Sequence, residues 1–132
     1  NGEYISMIDD DDCVSSSYVS EIRRCLDQNP DSVAFEIECE GTEGKIADMS
    51  NIYKDWADNE RGYDYVRTPY QKTPMKREIA LNIGYKDMKY GEDYDFSKRL
   101  KQSGLIKKEV RIDDVMYFYR FKYENPKTKF NM

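Results

Sequence analysis

A chain of 132 residues with 39% hydrophobic and 36% charged side chains is expected to form one rather polar domain, residues 1–132, and is too short for two. No apolar run approaches the roughly eighteen residues of a membrane span, and twelve tyrosines and five phenylalanines argue against wholesale disorder. Histidine is absent, which excludes Ser–His and Cys–His catalysis, and the three cysteines show no CxxC spacing, which argues against a zinc site and a disulfide framework and fits a reducing, cytoplasmic setting.

The net charge of −5 is unevenly placed: residues 98–132 carry ten Lys or Arg against four Asp or Glu, so +6 there leaves −11 for the rest. An acidic site facing a basic segment suits a metal with an anionic, phosphate-bearing ligand, although a solvated charged surface gives the same asymmetry. No nucleic-acid partner is expected. The chain opens at Asn1 rather than Met and is expected to be a piece of a longer protein.

In chain order, residues 4–8 read as a buried strand, and four aspartates, Asp9, Asp10, Asp11 and Asp12, follow it directly. Ser15, Ser16 and Ser17 offer N-caps for a helix whose apolar stripe is Tyr18, Val19, Ile22 and Leu26, ended by Asn29-Pro30-Asp31. Residues 32–39 alternate apolar and polar as a strand does. Within residues 40–59 the pattern is weak, and 46–53 reads as a short strand or a turn. Residues 63–67 read as a strand stopped by Thr68-Pro69. Thr73-Pro74 has the form of N-cap and N1 of a helix reaching Asn82 and stopped by Gly84. Residues 92–103 are a helix closed by Gly104, and 107–121 hold one or two strands rich in aromatics.

A strand, then aspartates, then a helix suggests an α/β sheet, in which ligands bind beyond the carboxyl ends of strands. A parallel first strand needs neighbours on both sides, and these are expected upstream of residue 1. An edge left open there predicts self-association or a compensating contact.

Adjacent carboxylates repel, so the aspartate run is either a solvated turn or a place for something positive. An EF-hand does not fit, because Val14 and Ser15 occupy a ligand position and the required glycine position. Asp10-Asp11-Asp12-Cys13-Val14 meets the DxDx(T/V) pattern of haloacid-dehalogenase phosphohydrolases, with Asp10 as nucleophile and Lys86 or Lys89 as the required lysine. The run also contains the DxD pattern by which a divalent cation grips a nucleotide-sugar's diphosphate. A second acidic group lies in KYGEDYDFSKRL. There Asp95 and Arg99 form an i,i+4 pair, while Glu92 and Asp93 sit at the turn, where a carboxylate can take a proton from a hydroxyl.

Together, YISMIDDDDCV, YGEDYDFSKRL and the closing Tyr117-Phe118-Tyr119-Arg120 resemble the DxD, ED and aromatic–Arg motifs of family 2 glycosyltransferases with the GT-A fold. The run from Arg67 to Arg77 is similar to the segment that shapes the acceptor side. The resemblance spans residues 2 to about 123 and implies a partial GT-A α/β sheet flanked by helices. It implies inverting, Mn²⁺- or Mg²⁺-dependent transfer of a sugar from a nucleotide-diphospho-sugar donor to a hydroxyl acceptor. Asp11 with Asp9 would hold the metal, Asp9 or Asp10 would lie near the ribose or a metal-bound water, and Asp12 would cap or orient. Asp93 would be the catalytic base, supported by Glu92.

Arg120 would face the diphosphate, unless it pairs with Asp113 or Asp114. Lys122 stands where the family often places a histidine and would neutralise phosphate directly. The family's base-binding strands normally precede the DxD motif and are missing here, so weak metal binding and low turnover are expected of this chain alone. The non-enzymatic alternative is a catalytically incomplete domain that binds a partner through its tyrosines.

Overall fold

The computed structural model describes residues 3–40, 43–84 and 91–120. They form a mixed α/β fold with one eight-stranded sheet and three helices. The strands are β1 (Tyr4–Ile5), β2 (Cys13–Val14), β3 (Ser32–Glu40), β4 (Lys45–Met49), β5 (Ala57–Glu60), β6 (Tyr63–Arg67), β7 (Met75–Lys76) and β8 (Glu109–Arg120). The helices are α1 (Tyr18–Leu26), α2 (Arg77–Ile83) and α3 (Glu92–Ser103).

The centre is β3, flanked by antiparallel β4 and parallel β8; β6 runs parallel to β4, and β5 closes that side antiparallel to β6. Strand alternation sorts the two faces. Val33, Phe35, Ile37 and Cys39 of β3 join Met49 and Tyr117 in the core, where Tyr18, Ile22 and Cys25 of α1 pack on them. Phe35 and Tyr117 are fully buried, each contributing about 1.5–3 kcal/mol of apolar transfer. The opposite face is polar: Glu36 and Asp48 meet Arg111 there, with the Tyr53 hydroxyl donating to Asp48 and Tyr63 to Glu36. A smaller core joins α2 and α3 through Ile79, Phe96, Leu100 and Met75.

The strand at 63–67 and the helix at 92–103 lie where the pattern put them. Gly91 starts α3 at φ +78°, a left-handed turn that costs a side-chain-bearing residue energy, which gives the glycine of the GED run a backbone reason. Arg99 of α3 holds Asp95 at 2.8 Å and donates to the carbonyls of Ile83 and Gly84, so the pair at the helix start ties α3 to the end of α2.

Several expectations are corrected. Residues 4–8 are not a buried strand: only Tyr4–Ile5 are paired, antiparallel to β7, and Met7 and Ile8 are 44% and 45% exposed. The sheet is therefore not a parallel one that begins at this strand. Thr73-Pro74 do not open a helix. The Pro74 carbonyl accepts from the Val33 N–H at 3.0 Å, Met75–Lys76 bridge β1 and β3, and the helix starts only at Arg77. Val19 points to solvent and Cys25 replaces it in the buried stripe, because positions 18, 22 and 25 share one helical face. Ser17 stands at the N-cap but makes no capping bond with its side chain. β5 appears in the stretch without a clear pattern.

No helix among the described residues is long and apolar enough to cross a membrane.

Candidate functional site

The four aspartates form a tight turn, closed by the Asp12 N–H donating to the Asp9 carbonyl at 3.0 Å. This gives each carboxylate a different environment. Asp12 is buried and fully used: its two oxygens accept from the Tyr117 hydroxyl at 2.6 Å and the Arg120 N–H at 2.9 Å. The Tyr117 hydroxyl in turn accepts from the Asp9 N–H at 3.2 Å, so β8 fixes both ends of the turn. Burial, then the bond to Asp12, pushes the Tyr117 phenol well above its ordinary range and keeps it a donor. Asp12 thus orients the turn, as expected. Asp10 and Asp11 are exposed and, with Met7, Ile8 and Asp9, edge a shallow depression.

Asp9, itself exposed, also lines a cavity of about 370 Å³. The strands place Ile37, Cys39, Ala47, Tyr65, Arg67 and Tyr119 on its floor, all from the core face of β3, β4, β6 and β8. Trp56, Tyr70 and Lys72 come from the segments on either side of β5 and β6, and Asp93 enters from the first turn of α3. The two acidic motifs, far apart in sequence, therefore line one cavity.

Lys72 stands between them. It is 5% exposed, donates to Asp9 Oδ2 at 3.0 Å, and lies 5.4 to 5.8 Å from the ring centres of Tyr117, Tyr119 and Tyr70. A buried ammonium needs such partners, because its desolvation is otherwise uncompensated. Asp93 is half-buried, and its Oδ1 is enclosed with no hydrogen-bond partner among the described residues. Burial raises its carboxyl above the ordinary value against the pull of Lys72, and Glu92 and Asp9 add to the rise, while a hydrogen bond with Gln71 lowers it. A carboxylate with one unsatisfied oxygen in a cavity is set to accept a proton.

Trp56 is the keystone of the aromatic wall. Its indole N–H donates to Ser97 Oγ at 2.9 Å, and its ring meets Tyr70 and Tyr94 edge-on at 5.3 and 5.2 Å. Arg67 stacks on it, with Cζ 4.6 Å from the ring centre.

Of the residues expected at the site, Asp9 and Asp93 converge. Glu92 starts α3 beside Asp93 without lining the cavity, and Asp10 and Asp11 lie on the adjoining exposed turn. Arg120 pairs with neither Asp113 nor Asp114: it meets Glu40 at 3.2 Å, while Asp113 takes Arg111. The strand irregularity between residues 34 and 37 accompanies this arrangement of β8 on β3. Lys122, Lys86 and Lys89 lie outside the described residues. Lys72, Arg67, Trp56 and Tyr70 were not singled out individually from sequence. The signal was the quoted run from Arg67 to Arg77, which supplies three of them.

Among the described residues no group of three or more Cys, Asp or Glu converges as a metal site. The exposed carboxylates of the turn fit a different arrangement, in which a hard cation takes one or two carboxylates and completes its shell with a ligand's phosphates. Against known proteins, no family model matches the chain, and no curated protein matches it.

Proposed function

We propose that this chain belongs to an inverting glycosyltransferase that moves a sugar from a nucleotide-diphospho-sugar to a hydroxyl acceptor. The observation that carries this reading is the cavity shared by Asp9 of the aspartate turn and Asp93 of the GED run, with Lys72 between. Asp11 with Asp9 would hold Mn²⁺ or Mg²⁺, which when bound stabilises the negative charge that gathers on the leaving diphosphate. The acceptor oxygen attacks the anomeric carbon from the face opposite the leaving group. The carbon–oxygen bond to the diphosphate breaks, and the hydroxyl proton passes to Asp93. Trp56 and Tyr70 give the acceptor ring an apolar wall, and Lys72 keeps Asp9 and Asp93 from repelling each other. Arg120 is available to phosphate, since its exposed pair with Glu40 is worth little.

The phosphohydrolase alternative asks Asp12 to act as general acid two residues after a nucleophilic Asp10. Asp12 is buried with both oxygens committed to Tyr117 and Arg120, which weighs against that role.

Nucleoside diphosphate release from UDP- and GDP-sugars in the presence of Mn²⁺ and a hydroxyl acceptor tests the proposal. Release is expected to stop on addition of EDTA and to return when Mn²⁺ is restored; slow release suffices, because the ratio is what is read. Release unaffected by the chelator sinks the metal-dependent mechanism.

A further inference from the structure

We propose that the cavity takes an acceptor bearing an anionic group, a carboxylate or a phosphate, and that Arg67 is the residue that selects it. The inference rests on the transferase reading for the word acceptor, but on Arg67 itself for the charge.

Arg67 ends β6 with its side chain in the cavity, half-buried between two rings: Cζ lies 4.6 Å from the centre of Trp56 and 5.5 Å from that of Tyr65. Among the described residues only Nη1 finds acceptors, donating to the Val66 carbonyl at 2.9 Å and the Ala57 carbonyl at 3.4 Å. Nε and Nη2 donate to nothing among the described residues, and no carboxylate of those residues lies within ion-pair distance of the guanidinium. The two carboxylates that line the cavity have other partners: Asp9 is held by Lys72, and Asp93 is hydrogen-bonded with Gln71. Elsewhere in the described chain the half-buried arginines have counter-ions, Arg99 with Asp95 and Arg111 with Asp48.

A partly desolvated guanidinium without a counter-ion is costly, and the cost is recovered when a ligand supplies one. The Nε–Nη2 edge is a two-donor fork that matches the two oxygens of a carboxylate or phosphate, and stacking on Trp56 and Tyr65 holds its plane. The donor's own diphosphate is the competing anion. Asp9 lines both spaces, whereas Asp11 edges only the outer depression, so the Mn²⁺–UDP arm of the test below separates donor from acceptor. An acceptor sugar lying on the aromatic wall would thus present a hydroxyl to Asp93 and an acidic group to Arg67.

Trp56 is the single tryptophan of the chain, so its fluorescence reports this cavity directly. The probes are methyl glucuronide, glucose 6-phosphate and the neutral methyl glucoside, titrated into the wild-type chain, Arg67→Gln and Arg67→Lys. At least one anionic probe is expected to bind about ten-fold or more tightly than the glucoside, which is about 1.4 kcal/mol, and whichever anion is preferred identifies carboxylate or phosphate as the source. Arg67→Gln is expected to erase the preference, and Arg67→Lys, which keeps the charge without the fork, to retain part of it. Equal binding of charged and neutral probes overturns the proposal, as does a preference that survives in Arg67→Gln or no binding of any anion. Loss of Mn²⁺–UDP binding in Arg67→Gln would assign the arginine to the donor and also overturn it. Should Arg67→Gln fail to fold, judged by far-ultraviolet circular dichroism, Arg67→Lys carries the comparison. Charge selection by Arg67 without metal-dependent nucleotide binding would leave this site standing and remove the transferase reading, so the two failures are distinguishable.

Discussion

Asp93→Asn is expected to lower the rate of sugar transfer by roughly 10²- to 10⁴-fold, the usual worth of a positioned general base, while Mn²⁺–nucleotide affinity stays within about two-fold. The amide keeps the shape of the side chain and removes its ability to take a proton. Because burial raises the Asp93 carboxyl above its ordinary value of 3.8, the wild-type rate should climb with pH through that raised value and level off above it. A kcat profile measured at saturating donor checks this, and a flat profile across the acid limb contradicts the assignment. The sign for stability runs the other way. A carboxyl raised in the folded state binds its proton more tightly there than in the unfolded chain. Its favourable contribution is therefore present below 3.8 and is lost as pH rises through the folded-state value, so at neutral pH the ionised group is a burden on the fold. Asp93→Asn should accordingly melt no lower than wild type at pH 7, and any advantage should vanish in acid. Loss of activity together with retained or improved stability is the pattern of a functional group rather than a structural one.

The largest loss of stability should come from the other face of the sheet. Asp48 is 2% exposed and is held by Arg111 through a two-pronged pair, with Nη2 to Oδ1 at 2.8 Å and Nη1 to Oδ2 at 3.2 Å. Arg111→Ala leaves that carboxylate buried with the Tyr53 hydroxyl for support, and a broken buried pair of this kind costs about 3–5 kcal/mol. Urea unfolding should show a lower midpoint at unchanged slope. Replacing both partners, Arg111→Met with Asp48→Leu, should recover part of the loss, because it removes the buried charge of Asp48 while Glu36 still loses its cation and the Tyr53 hydroxyl its acceptor. A single-variant loss under about 1 kcal/mol would mean that water screens the pair as at a surface.

How much of this was legible in the sequence depends on where each element draws its stability. Helix α3 and strand β6 carry their own signals: Gly91 and Gly104 bracket the one, Thr68-Pro69 stops the other, and the structure follows both. Strand β5 carries none. Ala57–Glu60 is a polar edge with three exposed residues, formed because β6 offers it a partner. Thr73-Pro74 has the local grammar of a helix start, but β3 and β1 claim the backbone that follows, and tertiary pairing overrides propensity. The apolar run before the aspartates reads as core because it is apolar; with pairing on only one short stretch, Met7 and Ile8 stay in solvent.

The site divides in the same way. Asp9 and Asp93 stand in acidic runs that stand out in any reading. The opposite fates of four consecutive aspartates do not show in sequence, since they depend on Tyr117 reaching Asp12 and Lys72 reaching Asp9. Lys72 and Arg67 look like two of many surface cations until the aromatic side chains of two strands and two loops close around them.

On the proposed mechanism the exposed carboxylate of the turn holds a cation against a diphosphate. Calorimetric titration of Mn²⁺ with UDP, and separately with GDP, into the chain and into Asp11→Ala tests it most directly. Nucleotide binding is expected to require the metal and to weaken at least about ten-fold in the variant, or about 1.4 kcal/mol. Nucleotide binding that is indifferent to Asp11, or that proceeds without the metal, would contradict it.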